Sequence, residues 1–274
     1  MDYSSSAIWY AFAITTFAGL STGIGSLLAF FTKTTHKKFL TMSLGFSAGV
    51  MIYVSMIEIF PQALEVLQGQ DALGSGSSKW PYVVTTLSFF GGIAFIAIID
   101  RLIPDAENPH EIRTVEDMSK EPKQNRLMRL GVFTALAIGI HNLPEGMATF
   151  TAALNDPGMG FAIAVAIAIH NIPEGIAVAV PIYFATKSRK KSFWYSFTSG
   201  LAEPVGALIA YLILLPFLTP TVFGIIFAAV AGIMVFISVD ELLPAAHEFG
   251  EHHLSVYGLI AGMAIMAISL ITLQ

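Results

Sequence analysis

A series of long apolar stretches, separated by shorter polar segments, constrains this chain more than any other feature. Each stretch has about 20 residues or more, so that as an α-helix it can span the hydrocarbon core of a bilayer. The composition agrees, since 55% of the 274 residues are hydrophobic and only 12% are charged. Such a chain is too apolar for a soluble domain of its size. The sequence therefore predicts an all-α polytopic membrane protein.

We count eight stretches and expect each to form a transmembrane helix of one domain that covers residues 1–274. Their approximate bounds are 8–31, 39–60, 82–103, 127–153, 158–184, 193–217, 221–243 and 255–273. A cytoplasmic loop is expected at about 104–126. Because the number of spans is even, both termini should lie on the same side of the membrane.

The distribution of basic residues predicts which side that is. If the N-terminus is outside, all but one of the 14 Lys and Arg residues fall in cytoplasmic loops, and only Lys79 falls outside. Basic residues of short loops are retained in the cytoplasm, so we expect a multi-pass protein of the bacterial inner membrane with both termini extracytoplasmic. Trp9, Trp80 and Trp194 lie at span ends, where tryptophan anchors helices at the interface.

One apolar motif occurs twice. GVMIYVSMIEIFPQALE (49–65) and GIMVFISVDELLPAAHE (232–248) share Gly, Met, Ser, Glu and Pro at the same spacing. In the predicted topology the two copies cross the membrane in opposite directions. We therefore expect three spans, an inner pair and three spans, a 3+2+3 arrangement in which the outer triplets are inverted repeats. Secondary transporters are commonly built in this way, with the substrate site at the bilayer midplane.

The inner pair carries a second repeat, HNLPEG (141–146) and HNIPEG (170–175). His141 and Glu145 are one helical turn apart and share a face, as do His170 and Glu174. Ionisable groups are costly inside a membrane and mark functional sites there. Two such faces, each with a neighbouring amide oxygen from Asn142 or Asn171, predict a metal-binding cage.

Other residues extend this prediction. Glu203, in GLAEPVGA about ten residues into the sixth span, is expected to complete the site, and Met51 is a weaker thioether candidate. Pro144 and Pro173 each remove a backbone N–H and free a carbonyl one turn earlier, which suits helices that line a polar pathway.

The donor set indicates the class of metal. Imidazole, carboxylate and amide groups suit borderline divalent ions, with zinc and iron(II) first and manganese, cobalt and cadmium after them. Three carboxylates can balance about two such ions, so the site accommodates a binuclear centre bridged by Glu145 and Glu174. The chain has no Cys, which excludes disulfides and thiolate sites. Nothing in the sequence suggests nucleic acid binding.

The two HNxPEG motifs, the Glu203 segment, the AGVM segment that ends at Met51 and the eight spans together resemble the ZIP (Zrt- and Irt-like) family of metal transporters over essentially the whole chain. The resemblance implies uptake of divalent metal into the cytoplasm, movement of one helix group against another, and a homodimer. It also implies two metal positions. One uses Glu145, His170 and Glu174 with His141 and Met51 close by; the other uses Asn142, Glu145, Asn171, Glu174 and Glu203.

Two other classes of protein share parts of this pattern. An intramembrane metal-dependent hydrolase also places His and Glu on membrane helices, but the pattern H-E-x-x-H needs a Glu base where this chain has Asn142 and Asn171. A metal-responsive receptor needs an output domain, and the loop at 104–126 is too short to be one. His247, His252 and His253 form a cluster before the last span, which we interpret as a solvated loop, with metal delivery as the alternative.

Overall fold

A computed structural model describes residues 3–31, 37–69, 79–102, 123–217, 219–249 and 252–273. Most of the predicted loop, residues 103–122, lies outside the described residues. Eleven α-helices follow one another in the described parts of the chain: α1 Ser5–Phe31, α2 Lys37–Val54, α3 Phe60–Gln68, α4 Trp80–Leu102, α5 Lys123–Asn155, α6 Pro157–Thr186, α7 Arg189–Gly200, α8 Ala202–Ile209, α9 Pro220–Ile237, α10 Leu243–Phe249 and α11 His252–Leu273. No strand occurs among the described residues.

The surface of the protein is apolar and much of its interior is polar. Many large hydrophobic side chains are exposed, and Trp9 and Trp80 are 73% and 64% exposed. The interior contains fully buried carboxylate, amide, imidazole and hydroxyl side chains beside the aliphatic core. This distribution suits a protein whose solvent is lipid.

Seven membrane-spanning segments are recognised by length and composition within the described residues: Ser5–Leu27, Thr41–Gln68, Trp80–Ile99, Pro157–Val180, Arg189–Ile213, Pro220–Asp240 and His253–Thr272. The eighth expected span corresponds to α5, which is 33 residues long. At 1.5 Å per residue, such a helix is about 50 Å long, more than a bilayer core requires. The chain is therefore an integral, multi-pass membrane protein.

The helices pack as two groups. In the first, α6 packs against α1, α5 and α7, and α5 also packs against α8. In the second, α2 packs against α11 and α10, while α9 packs against α4 and α3. The two groups meet mainly where α2 crosses α6, with smaller contacts between α5 and α9 and between α11 and α6.

Both copies of the repeated apolar motif contain a π turn at the same place. Residues Ser55–Ile59 join α2 to α3, and residues Ser238–Leu242 join α9 to α10. In each copy the next backbone N–H donates to the carbonyl of the turn's first residue, Ser55 or Ser238. Pro61 and Pro244 are the second residues after the turns, and a proline cannot donate to the carbonyl four residues earlier. The wider turn accommodates that missing hydrogen bond.

The motif glycines also make equivalent contacts. A Cβ at Gly49 of α2 would overlap with the carbonyl oxygen of Leu259 of α11, and a Cβ at Gly232 of α9 would overlap with that of Phe89 of α4. Only glycine allows these backbones to approach so closely. The α2–α11 pair and the α9–α4 pair are thus packed through the same motif position.

Candidate metal centre

Three helices of the first group bring six of the predicted ligands into the interior of the protein. All six side chains are buried, with at most 1% of their surface exposed: Asn142 and Glu145 on α5, His170, Asn171 and Glu174 on α6, and Glu203 on α8. The α-helix continues through Pro144 in α5 and through Pro173 in α6. Each set of ligands therefore lies within a helix that extends on both sides of its proline.

The two HNxPEG motifs meet through Glu145 and His170. The Oε2 atom of Glu145 lies 3.3 Å from Nε2 of His170, within hydrogen-bond distance. The neighbouring carboxylate, Glu174, accepts a 3.4 Å hydrogen bond from the hydroxyl of Ser47 on α2. The same hydroxyl lies 3.3 Å from the carbonyl oxygen of His170. Ser47 therefore connects the second helix group to the candidate centre.

The side-chain amides of Asn142 and Asn171 each join two helices where they cross. Nδ2 of Asn171 donates to the carbonyl oxygen of Ala18 on α1 at 3.0 Å and to the carboxylate of Glu203. Nδ2 of Asn142 donates to the carbonyl oxygen of Ser199 on α7 at 3.4 Å. In both residues the amide nitrogen is used by the protein.

Four oxygens of this set, by contrast, have no hydrogen-bond partner among the described residues. They are Oδ1 of Asn142, Oε1 of Glu145, Oδ1 of Asn171 and Oε2 of Glu203. Each is a buried acceptor, and leaving such an atom unsatisfied typically costs about 1–3 kcal/mol, more for a charged group. A cation bound among them would satisfy these oxygens, whereas an anion would be repelled.

The charge of the site supports the same conclusion. Glu145, Glu174 and Glu203 are fully or almost fully buried, and residues 130–186, which carry both motifs, include no Lys or Arg. Glu203 also experiences electrostatic repulsion from Glu145 and Glu174. Buried negative charge is expensive, so this region is suited to take up positive charge from outside the protein.

The carboxylates of Glu145, Glu174 and Glu203 do not form a tight cluster with one another. No group of three His, Asp or Glu side chains among the described residues lies close enough to hold a metal ion. Instead each carboxylate has a different neighbour: Glu145 has His170, Glu174 has Ser47 and Glu203 has Asn171. The side chain of His141 lies outside the described residues, and the helix places residue 141 one turn before Glu145.

The other predicted residues, Met51 and the histidines before the last span, differ in how deeply they are buried. Met51 is fully buried on α2, one turn after Ser47 and on the same face. His247 and His253 are exposed, and the ring of His253 stacks on Tyr257 with 6.4 Å between centroids. The side chain of His252 lies outside the described residues.

Two features of the site were not predicted from the sequence. The sixth span, expected to be continuous, is interrupted at Leu201, so that Glu203 lies in the first turn of α8. Pro204 explains the break because it cannot donate to the carbonyl of residue 200. Ser47 was also missed, because a serine in an apolar helix usually bonds to its own backbone and gives no signal of a ligand.

The chain is similar to known proteins over nearly its whole length. The family model of the ZIP zinc transporters matches residues 5–124 and 104–270. The chain is 62% identical over 266 residues to a protein named zinc transporter ZupT from Lysinibacillus sphaericus (strain C3-41), covering 96% of this chain and 97% of the relative. It is 61% identical to the zinc transporter ZupT of Streptococcus mutans serotype c, covering 97% and 98%, and 56% identical to that of Clostridium perfringens (strain 13 / Type A), covering 95% of each.

Proposed function

The chain belongs to the ZIP zinc transporter family, and from this premise we propose that it carries zinc across the membrane into the cytoplasm through the buried centre on α5, α6 and α8. The ligands are His141, Asn142, Glu145, His170, Asn171, Glu174 and Glu203, with Met51 at the rim. The observation that carries the proposal is the set of four buried acceptor oxygens without a donor in the described structure. Iron(II), manganese, cobalt and cadmium are further substrates that this donor set suits.

We propose a binuclear centre. Three carboxylates balance most of the charge of two divalent cations, and Glu145 has one oxygen engaged with His170 and one oxygen without a partner among the described residues. Glu145 and Glu174 therefore bridge, while Asn142, Asn171 and Glu203 complete the second position. The ligands are oxygen and nitrogen only, or oxygen, nitrogen and thioether where Met51 takes part, and without thiolate they exchange metal readily.

The proposed architecture is a single domain of eight spans in a 3+2+3 order, with inverted outer triplets and both termini outside the cytoplasm. The equivalent π turns and glycine contacts of α2 and α9 support the inverted relation. We further propose that α1 and α5–α8 move as one group against the remaining helices, since the contacts between the two groups are concentrated where α2 crosses α6. The protein is proposed to form a homodimer in the bilayer.

The hydrolase alternative has no support, and the protein is a transporter rather than an enzyme. A zinc hydrolase needs a general base beside its metal ligands. The positions next to the two motif histidines are Asn142 and Asn171, whose amides donate to backbone carbonyls of crossing helices. Neither can take a proton from water.

The proposal is tested by zinc uptake into proteoliposomes that contain a trapped fluorescent zinc indicator. We expect Glu145→Ala and Glu174→Ala to abolish uptake because each removes a bridging carboxylate. Glu65→Ala is the matched control, since Glu65 lies exposed on α3, away from the centre. The proposed centre is wrong if both variants carry zinc at the wild-type rate in correctly folded protein.

A further inference from the structure

One buried hydroxyl of α1 is not used by its own helix. The hydroxyls of Thr15, Ser21 and Ser26 each donate to a carbonyl of the preceding turn, at 2.8, 2.6 and 2.7 Å. Thr22 is equally buried, yet its Oγ1 atom has no hydrogen-bond partner among the described residues. Buried hydroxyls in helices normally make such a bond, so the exception needs an explanation.

The sequence around Thr22 resembles the sequence around Glu203. AGLSTGIGS (18–26) aligns with SGLAEPVGA (199–207), with Gly, Leu and Gly identical at the same three positions. The alignment places Thr22 opposite Glu203. The similarity is too short to be recognised without the contacts that accompany it.

Those contacts are repeated as well. Asn171 donates to the carbonyl of Ala18 on α1, and Asn142 donates to the carbonyl of Ser199 on α7. Asn171 and Asn142 occupy the same position of the HNxPEG motif, and Ala18 and Ser199 are the aligned first residues of the second repeat. Each asparagine thus donates a hydrogen bond to the equivalent backbone carbonyl of the repeat around Thr22 or Glu203.

The aligned glycines complete the correspondence. A Cβ at Gly19 would meet the carbonyl oxygen of Gly200 and the Cβ of Glu203, and a Cβ at Gly200 would meet the carbonyl oxygen of Gly19 and the side chain of Thr22. Glu203 therefore lies against α1 as Thr22 lies against the end of α7. Thr22 with Asn142 is the inverted counterpart of Glu203 with Asn171.

We propose that Thr22 is a further metal-binding residue, whose hydroxyl oxygen and Oδ1 of Asn142 form a neutral face opposite the acidic face of Glu203 and Asn171. This rests on the proposed function and deepens it. All four residues are fully buried, and each has an oxygen without a partner in the described structure. Hydroxyl and amide oxygens are hard, uncharged ligands that bind a divalent cation weakly and exchange it easily.

The inequality of the two faces has a functional consequence. Two equally acidic faces would hold a cation at the second position tightly, because each would supply a carboxylate. With a hydroxyl on one face, the cation is held there mainly by neutral dipoles and by the bridging carboxylates. The Thr22 face is therefore the weaker side of the second position, and the side from which metal leaves first.

Four variants test this proposal: Thr22→Val, Thr22→Ser, Thr22→Glu and the control Thr15→Val. Zinc affinity is measured in detergent by competition with a chromophoric chelator, and zinc uptake is measured in proteoliposomes. Thr22→Val removes the oxygen at nearly constant volume, so we expect zinc affinity at the second position to fall by about tenfold, as for loss of a supporting group at a metal site. Thr22→Ser keeps the oxygen and should bind as wild type.

Thr22→Glu makes the two faces equally acidic, so zinc should bind more tightly while uptake slows, a split that a packing defect would not produce. Thr15→Val, on the same helix, removes a hydroxyl that only bonds its own helix, and should change neither quantity. The proposal is overturned if Thr22→Val binds zinc as wild type does, or if Thr22→Ser loses as much affinity as Thr22→Val. If wild-type protein carries no zinc, the proposed function fails, and the affinity series still decides whether Thr22 is a ligand.

Discussion

Replacement of Glu203 by Gln should stabilise the protein without metal and weaken its response to zinc. Glu203 is fully buried, is repelled by Glu145 and Glu174, and has one oxygen without a partner in the described structure. Gln keeps an acceptor for the amide of Asn171 and replaces the unsatisfied carboxyl oxygen with a neutral donor. That donor can face the neighbouring carboxylates. The substitution therefore removes from the metal-free protein an acidic group whose ionised form is unfavourable there.

The size of this effect follows from the cost of the unsatisfied group. A buried acceptor without a partner costs about 1–3 kcal/mol, and for chains near this size each kcal/mol shifts the melting temperature by about 2–4 °C. We expect Glu203→Gln to melt several degrees above wild type when a chelator keeps zinc away. Glu65→Gln, at an exposed position, should melt as wild type.

Zinc should make the wild type melt above Glu203→Gln, or narrow the difference between their melting temperatures. At a zinc concentration 100 times the wild-type Kd, binding stabilises the wild type by about 2.7 kcal/mol. If Glu203→Gln binds about tenfold more weakly, the same zinc concentration stabilises it by only about 1.4 kcal/mol. The assay is a thermal unfolding series in detergent, with and without zinc, for wild type, Glu203→Gln and Glu65→Gln. A Glu203→Gln protein that melts below wild type without zinc, yet gains as much from zinc, would refute the reasoning.

Three further substitutions test other parts of the structure. Ser47→Ala removes the 3.4 Å hydrogen bond that Glu174 accepts from α2, and should slow zinc uptake severalfold while zinc binding in detergent changes little; equal rates would contradict a link between the helix groups. Gly146→Ala places a Cβ against the carbonyl of Glu203 and should abolish uptake and lower thermal stability, whereas the same substitution at Gly91, where the space is open, should have no effect on either. Because the chain has no Cys, single Ser4→Cys and Lys190→Cys variants report topology directly: an impermeant maleimide added to intact cells should label the first and not the second, and the opposite result would reverse the proposed orientation.

Much of the fold was predictable because lipid imposes simple rules on sequence. A span must be long and apolar, so the series of helices could be expected from hydrophobicity alone. The breaks in the helices were harder to predict. Pro144 and Pro173 lie in helices that continue, whereas Pro204 follows a break at Leu201 and Pro61 follows a π turn. Local sequence cannot separate these outcomes, since the neighbouring helices decide whether the freed carbonyl can be accommodated.

The candidate site was predictable where residue chemistry was unusual for a membrane. Glu145, His170 and Glu174 were conspicuous because charged and imidazole groups are rare inside spans. Ser47 and Thr22 were not conspicuous, because hydroxyl residues are common in membrane helices and usually bond to their own backbone. Their importance emerges only from contacts, in one case a bond across helix groups and in the other a bond that is missing.

The two motif asparagines explain how one side chain can serve both the fold and the cargo. Backbone carbonyls inside a membrane must be satisfied by the protein, and the amide nitrogens of Asn142 and Asn171 donate to carbonyls where α7 and α1 cross their helices. The same amides leave their oxygens buried and without a partner in the described structure. Asp at either position would offer a stronger cation ligand but could not donate to the carbonyl, and Leu would offer neither. Asn is therefore the side chain that fastens the helix crossing with one atom and, in the proposed centre, presents an exchangeable ligand with the other.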